Sequence, residues 1–520
     1  MNRVFINAIL ILFIVFFYLK NRHGLHILQL ENYYNDRYIV WMKKNLSKIF
    51  NIKMIGLFLI SSIVAYININ IGLILSCLTY ILLIFNHKRN KEKKPFVVTI
   101  RIKRMYITYL ILIILLAISV NVIDYKISLS IINIVAISSY VWVYIVNLLN
   151  RPLEKYIRRG FCKKANSKLK DINGLEVIGI TGSYGKTSTK YVVNTILSQK
   201  YNTVMTPESY NTTMGVVRTV NEKVSSTHKF FVCEMGAKYI GDIKEICDIV
   251  EPKYAIITAI GPQHLDTFKN IENISKTKLE LVDAIPEDNG IAFVNWEDEN
   301  IRKAKINKKI IKYGLTSASD YYADNIVITE KGSSFDVVMP KKRKINIKTK
   351  LLGELNILNI VCAISVADTL GLSEDEIKIG VKYIKPVKHR LELKQNPNGS
   401  IIIDDAYNSN VKGAKMALEV LKTFENRKRI LITPGIVELG EKSNEINKEL
   451  GILATKSSDF IILVGANQAV PIYEGIKETN YSLENVFIAE NLQEALLKMN
   501  EIIDNNSVVL LENDLPDNYL

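Results

Sequence analysis

The chain has 520 residues, 48% of them hydrophobic and 23% charged, which is more than one ordinary domain needs. Its formal net charge is +15, but residues 1–170 hold 25 Lys and Arg against 5 Asp and Glu, which leaves 42 against 47 for residues 171–520. Because the basic excess belongs to the first third alone, a nucleic-acid partner is not expected for the rest.

The longest apolar runs lie in the first 150 residues. Five membrane spans are predicted, at about residues 4–19, 53–68, 70–86, 106–122 and 127–149. Several are shorter than the roughly 20 residues that cross a bilayer, so 53–86 could instead form one long tilted helix, which would give four spans. The first run is predicted to be an anchor rather than a cleaved signal, because no small-residue cleavage site follows it.

Lys and Arg collect outside these runs, in residues 20–53, 86–104 and 151–170. Since cytoplasmic loops are rich in Lys and Arg, all three segments are predicted to face the cytosol. The expected protein is a multi-pass protein of the cytoplasmic membrane, with membrane lipid as a partner and everything after residue 150 in the cytosol. The five cysteines are scattered, without a C-x-x-C pair or zinc-site spacing, which fits a reducing compartment.

An apolar strand runs into a glycine-rich turn at residues 177–188, VIGITGSYGKTS. In such a turn the backbone N–H groups point at phosphate oxygens, Lys186 reaches the β- and γ-phosphates of ATP, and Thr187 can bind Mg²⁺. A strict phosphate loop has glycine at position 180, where this chain has Ile180. The predicted nucleotide-binding residues of the turn are Gly182, Ser183, Gly185, Lys186, Thr187 and Ser188.

Apolar strands alternate with helical segments after residue 170, which predicts mostly parallel sheets covered by helices. The first set of strands is predicted at 177–180, 230–235, 254–260, 290–295 and 310–314, followed by a β-rich patch at 321–352 and a helix near 356–370. The second set is predicted at 400–407, 429–435, 459–465, 485–490 and 507–513. This second, Rossmann-like set lacks G-x-G-x-x-G, so dinucleotide binding is not predicted.

A series of motifs resembles, in order, those of the Mur ligase family over about residues 172–515. The motifs are TGSYGKTS, Asn211-Thr-Thr-Met-Gly215, Glu234-Met-Gly236, Gly261-Pro-Gln-His264-Leu-Asp266, Lys276-Thr-Lys278-Leu-Glu280, His389-Arg390-Leu-Glu392 and Asp404-Asp405-Ala-Tyr407-Asn408. The likeness is greatest to the branch that adds D-alanyl-D-alanine to a UDP-linked muramoyl tripeptide. The implied fold is a multi-pass α-helical membrane region (1–150), a basic linker (151–171), a central α/β ATP-binding domain (172–386) and a Rossmann-like C-terminal domain (387–520).

The resemblance implies an ATP-dependent, ADP-forming ligase that activates a carboxylate as an acyl phosphate and then joins it to an amine. Lys186, Glu234, His264 and Lys278 take the catalytic roles by this likeness. Thr187, Glu234 and His264 correspond to ligands or neighbours of two Mg²⁺ ions, and Lys278 corresponds to a lysine that is carbamylated in the family. The expected substrates are a carboxylate-bearing envelope precursor and an amino acid or dipeptide.

Further nucleotide contacts are implied around the junction of the two soluble domains. Arg390 and Asp405 resemble contacts made on domain closure, and Asn356 and Asn359 resemble asparagines on the adenine side. Tyr407 and Asn408 belong to the same closing loop. Asp404 is the alternative to Asp405, because neighbours on a strand face opposite sides.

Three departures from the family pattern leave alternatives open. The membrane region replaces the N-terminal domain that binds UDP, Leu355 replaces a usual histidine, and Leu511-Glu512-Asn513 stands where a Lys-Gly-Ser segment is expected. The amine and the choice between a UDP-linked and a lipid-linked precursor are therefore open, as is the oligomeric state. Two other functions remain: a synthase of a poly-γ-glutamate-like polymer, and an ATP-binding membrane scaffold without ligase activity.

Overall fold

The computed structural model describes residues 2–87, 95–406, 410–437, 439 and 442–513. The chain forms two compact units, residues 1–160 and residues 161–520. The first unit is helical and the second is α/β.

The described residues of the helical unit form eight helices, the last of which continues into the second unit. They are α1 (Asn2–Leu30), α2 (Asn35–Lys44), α3 (Leu46–Ile49), α4 (Ile52–Ile67), α5 (Ile69–Phe85), α6 (Ile100–Val122), α7 (Tyr125–Ile137) and α8 (Ser139–Lys170). Asn side chains cap both members of the α4–α5 hairpin: Asn51 accepts from the first turn of α4, and Asn68 from the first turn of α5. The split of 53–86 into two helices therefore has a local cause, the capping residue Asn68.

Within the part of the chain that the structure describes, two single helices are long and apolar enough to cross a membrane, Arg3–Leu30 and Ile100–Val122. Helices α4 and α5 are apolar but shorter, with 16 and 17 residues. The run predicted as a single span at 127–149 is divided between α7 and α8, which are bent by 80° at Ser138. Together the two helices are apolar enough to form one bent span, which would be a third. Beyond it, residues 151–170 continue α8 as helix, so most of the segment predicted to be a linker is helical.

The central sheet of the second unit has nine strands in the order β2-β3-β1-β4-β5-β6-β7-β8-β9. The strands from β2 to β7 are parallel, and β8 and β9 are added antiparallel. They are β1 (Glu176–Thr181), β2 (Thr203–Met205), β3 (Phe230–Glu234), β4 (Tyr254–Ile257), β5 (Ile291–Asn295), β6 (Ile310–Gly314), β7 (Tyr321–Thr329), β8 (Gly332–Met339) and β9 (Arg343–Thr349). The predicted parallel sheet and the β-rich patch after it are confirmed.

A six-stranded sheet follows in the order β10-β11-β15-β12-β13-β14, in which only the pairing of β10 with β11 is antiparallel. Its strands are β10 (Glu392–Gln395), β11 (Ile401–Asp405), β12 (Lys428–Thr433), β13 (Phe460–Val464), β14 (Val486–Ala489) and β15 (Ser507–Glu512). The five parallel strands agree with the predicted second set. Strands β2 and β10 were not predicted, because both are short edge strands and β10 is polar.

Helices cover both sheets. They are α9 (Lys186–Leu197), α10 (Thr213–Lys223), α11 (Asp242–Val250), α12 (Leu265–Phe268), α13 (Ile271–Ala284), α14 (Glu299–Lys303), α15 (Glu354–Thr369), α16 (Glu374–Lys382), α17 (Val411–Lys422), α18 (Ser443–Ser457), α19 (Ala466–Lys477) and α20 (Leu492–Ile502). Helices α9 and α15 pack on one face of the central sheet and α11 and α13 contribute to the core on the other. The carboxyl ends of β1, β3 and β4 thus meet at one edge, where ligands bind in sheets of this kind.

Candidate functional site

The phosphate loop occupies residues 182–185, between β1 and α9. Gly185 has a φ of 82°, a left-handed conformation that costs glycine little, and α9 begins immediately after it. A Cβ on Gly182 would collide with the hydroxyl of Thr258, so the loop can approach the end of β4 only without a side chain there. Ser183 ties the same two segments together, since its Oγ donates to the carbonyl of Gly261 at 2.9 Å.

Lys186 lies across this loop. Its Nζ donates to the carbonyl oxygens of Gly182 at 2.6 Å and Ser183 at 3.2 Å. Burial lowers the pKa of Lys186 to about 8, with Glu234 opposing the shift and Arg390 adding to it. The side chain is thus held beside the loop, with two other predicted site residues in electrostatic range.

Glu234 ends β3 and is fully buried. Its register partner across the sheet is Ile180 in β1, one residue before the strand ends. The carboxylate accepts hydrogen bonds from Thr187 Oγ1 at 3.1 Å and Asn211 Nδ2 at 2.9 Å, and it pairs with Lys190 Nζ at 3.0 Å. Neither Lys190 nor Asn211 was among the predicted site residues.

Lys190 could have been noticed in the sequence, because it follows Lys186 by four residues and therefore lies one helical turn further along α9. It is fully buried, and its Nζ also donates to the carbonyl of Glu208. A carboxylate held by one cation and two neutral donors is fixed in position, which is what a group beside a phosphate-bound metal needs.

Lys278 lies on the buried face of α13 and is 2% exposed. Its pKa is lowered to about 7, chiefly by burial and then by the charge on Lys186, while Asp242 and Glu280 oppose the shift. Lys278 and Lys186 are thus close enough for their charges to interact. At neutral pH a large fraction of the Lys278 amine is unprotonated, and only the unprotonated amine can react with CO₂ to form a carbamate.

Glu280 gives the motif around Lys278 a structural role. Its carboxylate accepts hydrogen bonds from the backbone N–H groups of Gly241 at 2.8 Å and Lys244 at 2.9 Å, at the start of α11. Asp242 accepts from the N–H groups of Lys238 and Tyr239 just before it. Glu280 thus satisfies backbone donors that the N-terminus of α11 leaves unpaired, while Asp242 holds the turn before this helix.

His264 is the N-cap residue just before α12; its backbone is left-handed, with a φ of 51°, and it is half-buried. Its carbonyl accepts from the N–H groups of Thr267 and Phe268. The preceding segment contacts the phosphate loop, because the N–H of Gly261 donates to Ser183 Oγ at 3.0 Å. His264 therefore lies three residues after Gly261, which is hydrogen-bonded to the phosphate loop.

The two asparagines of α15 differ in their bonding. Asn359 is buried and accepts a hydrogen bond from Thr189 of α9 at 2.9 Å, while its Nδ2 has no acceptor among the described residues. Asn356 donates to the carbonyl of Leu352 at 2.8 Å. Asn359 thus brings an unused buried donor beside the phosphate-loop helix, whereas the amide of Asn356 supports the start of its own helix.

Arg390 lies in the turn before β10, and its charge reaches both Lys186 and Asp405. Asp405 ends β11 and accepts from the N–H of Leu391 at 3.1 Å. Burial, and then the neighbouring carboxylate of Glu512, raise the pKa of Asp405 to about 7. The alternative residue, Asp404, is bonded to His389 at 2.8 Å and to Lys394.

These contacts distinguish the two aspartates: Asp404 is bound within its own domain, and Asp405 shares the electrostatic environment of Arg390. His389, Glu392 and Asp404 also have ligand atoms within 4.8 Å of one another, but the Lys394 ammonium contacts both carboxylates and supplies the positive charge there. Tyr407 and Asn408, predicted in the closing loop, lie outside the described residues.

Comparison with known families matches the second unit twice. The family model "Mur ligase middle domain" matches residues 180–367, and "Mur ligase, glutamate ligase domain" matches residues 389–512. These ranges contain the phosphate loop, Glu234, Lys278 and both sheets of the second unit apart from β1's first residues.

Curated relatives and solved structures agree with this. The chain is 31% identical to the UDP-N-acetylmuramoyl-tripeptide–D-alanyl-D-alanine ligase of Buchnera aphidicola subsp. Baizongia pistaciae, over 55% of this chain and 62% of the relative. It is also 31% identical to the ligase of the same name from Buchnera aphidicola subsp. Acyrthosiphon pisum, over 63% of this chain and 72% of that one.

Among solved structures, a crystal structure of MurF from Acinetobacter baumannii has a TM-score of 0.62 at 28% identity, covering 68% of this chain and 77% of that chain. The first of the two Buchnera relatives is matched over less than two thirds of its length. The ordered motifs, the two sheets and the matched domains lead to one conclusion: this chain belongs to the Mur ligase family.

Proposed function

We propose that this protein is an ATP-dependent, ADP-forming ligase that joins a carboxylate-bearing precursor of the cell envelope to an amino acid or dipeptide. The observation that carries the proposal is the convergence on the phosphate loop of Lys186, Glu234 and Lys278, three charged side chains from different elements of the fold. A nucleotide-binding protein without ligase chemistry would need the first of these but not a buried lysine of lowered pKa on α13.

In the proposed reaction, the loop N–H groups and Lys186 hold the triphosphate of ATP and offset the charge that develops during transfer of the γ-phosphoryl group to the carboxylate. Amine attack on the resulting acyl phosphate forms the amide and releases phosphate. Asn359 and Arg390 are proposed as nucleotide contacts beside the loop. Asp405 is proposed as a further contact from the C-terminal domain.

The donor set also fits Mg²⁺, which prefers oxygen ligands. Thr187, Glu234 and His264 are the residues proposed to hold or support the metal, with Lys278 joining them as its carbamate, an anion. Bound Mg²⁺ would neutralise phosphate charge and align the nucleotide with the acceptor. The protein's own contribution is the fixed carboxylate of Glu234, held by Lys190, Thr187 and Asn211.

We further propose that the helical unit anchors the enzyme in the cytoplasmic membrane, with domains at about 172–386 and 387–520 in the cytosol. Two long apolar helices and a shorter apolar hairpin support this, as does the basic character of the segments outside them. Anchoring would keep the site close to a precursor that itself resides at the membrane. The named relatives act on a UDP-linked tripeptide and D-alanyl-D-alanine, and these are the first substrates to test here.

The test is ATP turnover by the full-length protein in neutral detergent, supplied with candidate carboxylates and amines singly and in pairs. Phosphate release that requires both substrates, with an amide product seen by mass spectrometry, would support the ligase. Nucleotide binding without turnover for any pair would instead favour a scaffold. Sedimentation of the protein with the membrane fraction, and resistance to extraction by alkaline carbonate, would test anchoring separately.

A further inference from the structure

A group of charged side chains lies in the helical unit where the start of α6 contacts α8. It consists of Arg101 and Arg104 in the first turns of α6, and Glu154 and Arg158 in α8; we refer to it as the arginine cluster. It holds three guanidinium groups and one carboxylate, so its formal charge is positive. Nothing in the proposed ligase reaction uses it.

The single carboxylate of the cluster, on Glu154, forms a hydrogen-bonded ion pair with Arg104. Glu154 receives two hydrogen bonds from Arg104, Nε to Oε1 at 2.6 Å and Nη2 to Oε2 at 2.8 Å, the two-pronged geometry of a strong pair. The Nε of Arg101 is 3.9 Å from the same carboxylate, beyond hydrogen-bonding distance. Arg101 therefore forms only a long ion pair with a carboxylate that Arg104 already binds.

Arg101 is nevertheless fixed in place. Its Nη2 donates to Asn147 at 3.1 Å, and its guanidinium lies over the ring of Tyr33, 4.1 Å from the centroid. Its Nε is buried and has no hydrogen-bond acceptor among the described residues. About 30% of its side chain remains accessible to solvent. A guanidinium that is held in place, accessible, and only distantly paired with a carboxylate is suited to bind a phosphate group.

The neighbourhood of the cluster favours a phosphate that is attached to a lipid. Immediately after Arg104, α6 exposes apolar side chains over successive turns, with Ile107 and Leu110 each 58% exposed and Ile114 49% exposed. A lipid whose headgroup phosphate binds Arg101 would therefore place its acyl chains beside an apolar helix surface. A free phosphate would gain nothing from that surface.

The two neighbouring arginines affect which lipid headgroup the cluster would bind. Arg104 and Arg158 both repel the guanidinium of Arg101 electrostatically. An anion bound among the three would relieve this repulsion, and the first turn of α6 adds the positive end of its helix dipole. The site therefore prefers an anionic headgroup over a zwitterionic one.

We propose that the arginine cluster is a binding site for the phosphate of an anionic phospholipid at the cytosolic face of the membrane. The inference rests on the proposed membrane placement of the helical unit but not on the ligase reaction. The site orients the helical unit against the headgroup layer and would give the enzyme a preference for membranes rich in anionic lipid.

The test is native mass spectrometry of the full-length protein in a neutral detergent, titrated with phosphatidylglycerol or with phosphatidylcholine of the same acyl chains. Phosphatidylglycerol should bind more tightly, and Arg101→Gln should weaken its binding about five-fold, the effect of roughly one basic residue at a charged membrane surface. The matched control is Lys103→Gln, which removes an exposed charge two residues away on the same helix.

The proposal predicts less than a two-fold change for Lys103→Gln. Equal losses in the two variants would overturn it, since they would indicate attraction by overall charge rather than a site. Full competition by inorganic phosphate at concentrations matching the lipid would overturn the choice of a lipid source. If Arg101→Gln proves unstable in detergent, Arg101→Lys replaces it, and unchanged phosphatidylglycerol binding in that variant would contradict recognition by the guanidinium group.

This experiment separates the present inference from the proposed function. ATP turnover with both substrates is measured on the same preparations, and it should be equal in wild type, Arg101→Gln and Lys103→Gln. A protein that remains soluble and unaggregated without detergent would count against membrane placement and hence against this site as well.

Discussion

Lys190 and Glu234 form an ion pair of 3.0 Å in which neither side chain is exposed to solvent. One follows the phosphate loop by a single helical turn and the other ends the neighbouring strand β3. Their contact fixes the carboxylate that is proposed to lie next to the nucleotide-bound metal. A buried pair of this kind contributes little net stability, but removing one partner leaves an uncompensated charge in the core.

Replacing Lys190 by Met should therefore destabilise the central domain by about 3–5 kcal/mol. The free energy of opening can be measured from urea-dependent labelling of Cys233, a fully buried thiol next to Glu234. Lys190→Met combined with Glu234→Leu should regain most of the stability, because both charges are then absent, but it should not regain ATP turnover. Lys244→Met, which breaks an exposed pair with Asp248, serves as the control and should leave Cys233 protection unchanged.

The loss of stability in Lys190→Met can be attributed to the buried ion pair only if it exceeds the loss in Lys244→Met. A Lys190→Met protein as stable as wild type would contradict a charge-compensating role. Recovery of turnover in the double variant would contradict the role proposed for Glu234.

Lys278→Ala should abolish ligase turnover, because the carbamate that it is proposed to carry could no longer form. Short carboxylic acids such as acetate or propionate should restore part of the activity by placing a carboxylate in the space left by the side chain. Lys276→Ala is the matched control, since Lys276 is exposed on the same helix and should be dispensable. Lys186→Ala should also lose turnover, but without rescue, because its role requires a cation.

The measurement for these variants is the initial rate of ADP formation with both substrates present, over a range of acetate concentrations. Activity in Lys278→Ala equal to wild type without added acid would refute the assigned role. Mass spectrometry of the native protein under CO₂ should detect the carbamate on the peptide that contains Lys278 and not in the Lys278→Ala variant.

Much of the α/β fold could be predicted from the sequence, because buried parallel strands are continuous apolar runs such as 230–235 and 507–513. The edge strands β2 and β10 could not, since a three-residue strand and a polar one carry too little pattern. The 80° bend at Ser138 also escaped prediction, because the apolar run continues through it without proline or glycine.

The site was predictable to the extent that local motifs define it. Lys186 and Thr187 follow from the glycine-rich turn, and Glu234 and Lys278 from the family likeness. Lys190 and Asn211 were missed because their importance depends on the fold, which brings α9 and the segment before α10 to the end of β3. The four-residue spacing from Lys186 places Lys190 on the next turn of α9, but a lysine in a helix is normally exposed, and only the fold shows that this one is buried against Glu234.

Asn359→Asp should weaken nucleotide binding by about ten-fold, equivalent to roughly 1.4 kcal/mol. The substitution keeps the acceptor for Thr189 but removes the Nδ2 donor and adds negative charge near the phosphate loop. Titration with a fluorescent ATP analogue gives the dissociation constant. Asn356→Asp provides the comparison: it loses the hydrogen bond to Leu352 and should lower thermal stability more than nucleotide affinity. Equal affinity losses in both variants would argue against a specific contact from Asn359.

Asp405 predicts a pH dependence of stability in the C-terminal domain. Burial, and then the neighbouring Glu512 carboxylate, raise its pKa to about 7, whereas an aspartate in an unfolded chain titrates near 3.9. Between these values the folded protein holds a proton that the unfolded chain has released. The free energy of unfolding should therefore fall as pH rises from about 4 to about 7, by at most about 1.4 kcal/mol per pH unit.

Asp405→Asn isolates this contribution, because asparagine can still accept the hydrogen bond from the N–H of Leu391 but does not titrate. Hydrogen exchange of the amides in β11 and β15 reports the opening free energy of this sheet as a function of pH. Below pH 7, the opening free energy of the variant should depend less on pH than that of wild type. Above pH 7, where wild-type Asp405 is ionised beside Glu512, the variant should be the more stable of the two. Parallel profiles would mean that Asp405 stays ionised throughout, and Arg390 rather than Glu512 would then dominate its surroundings.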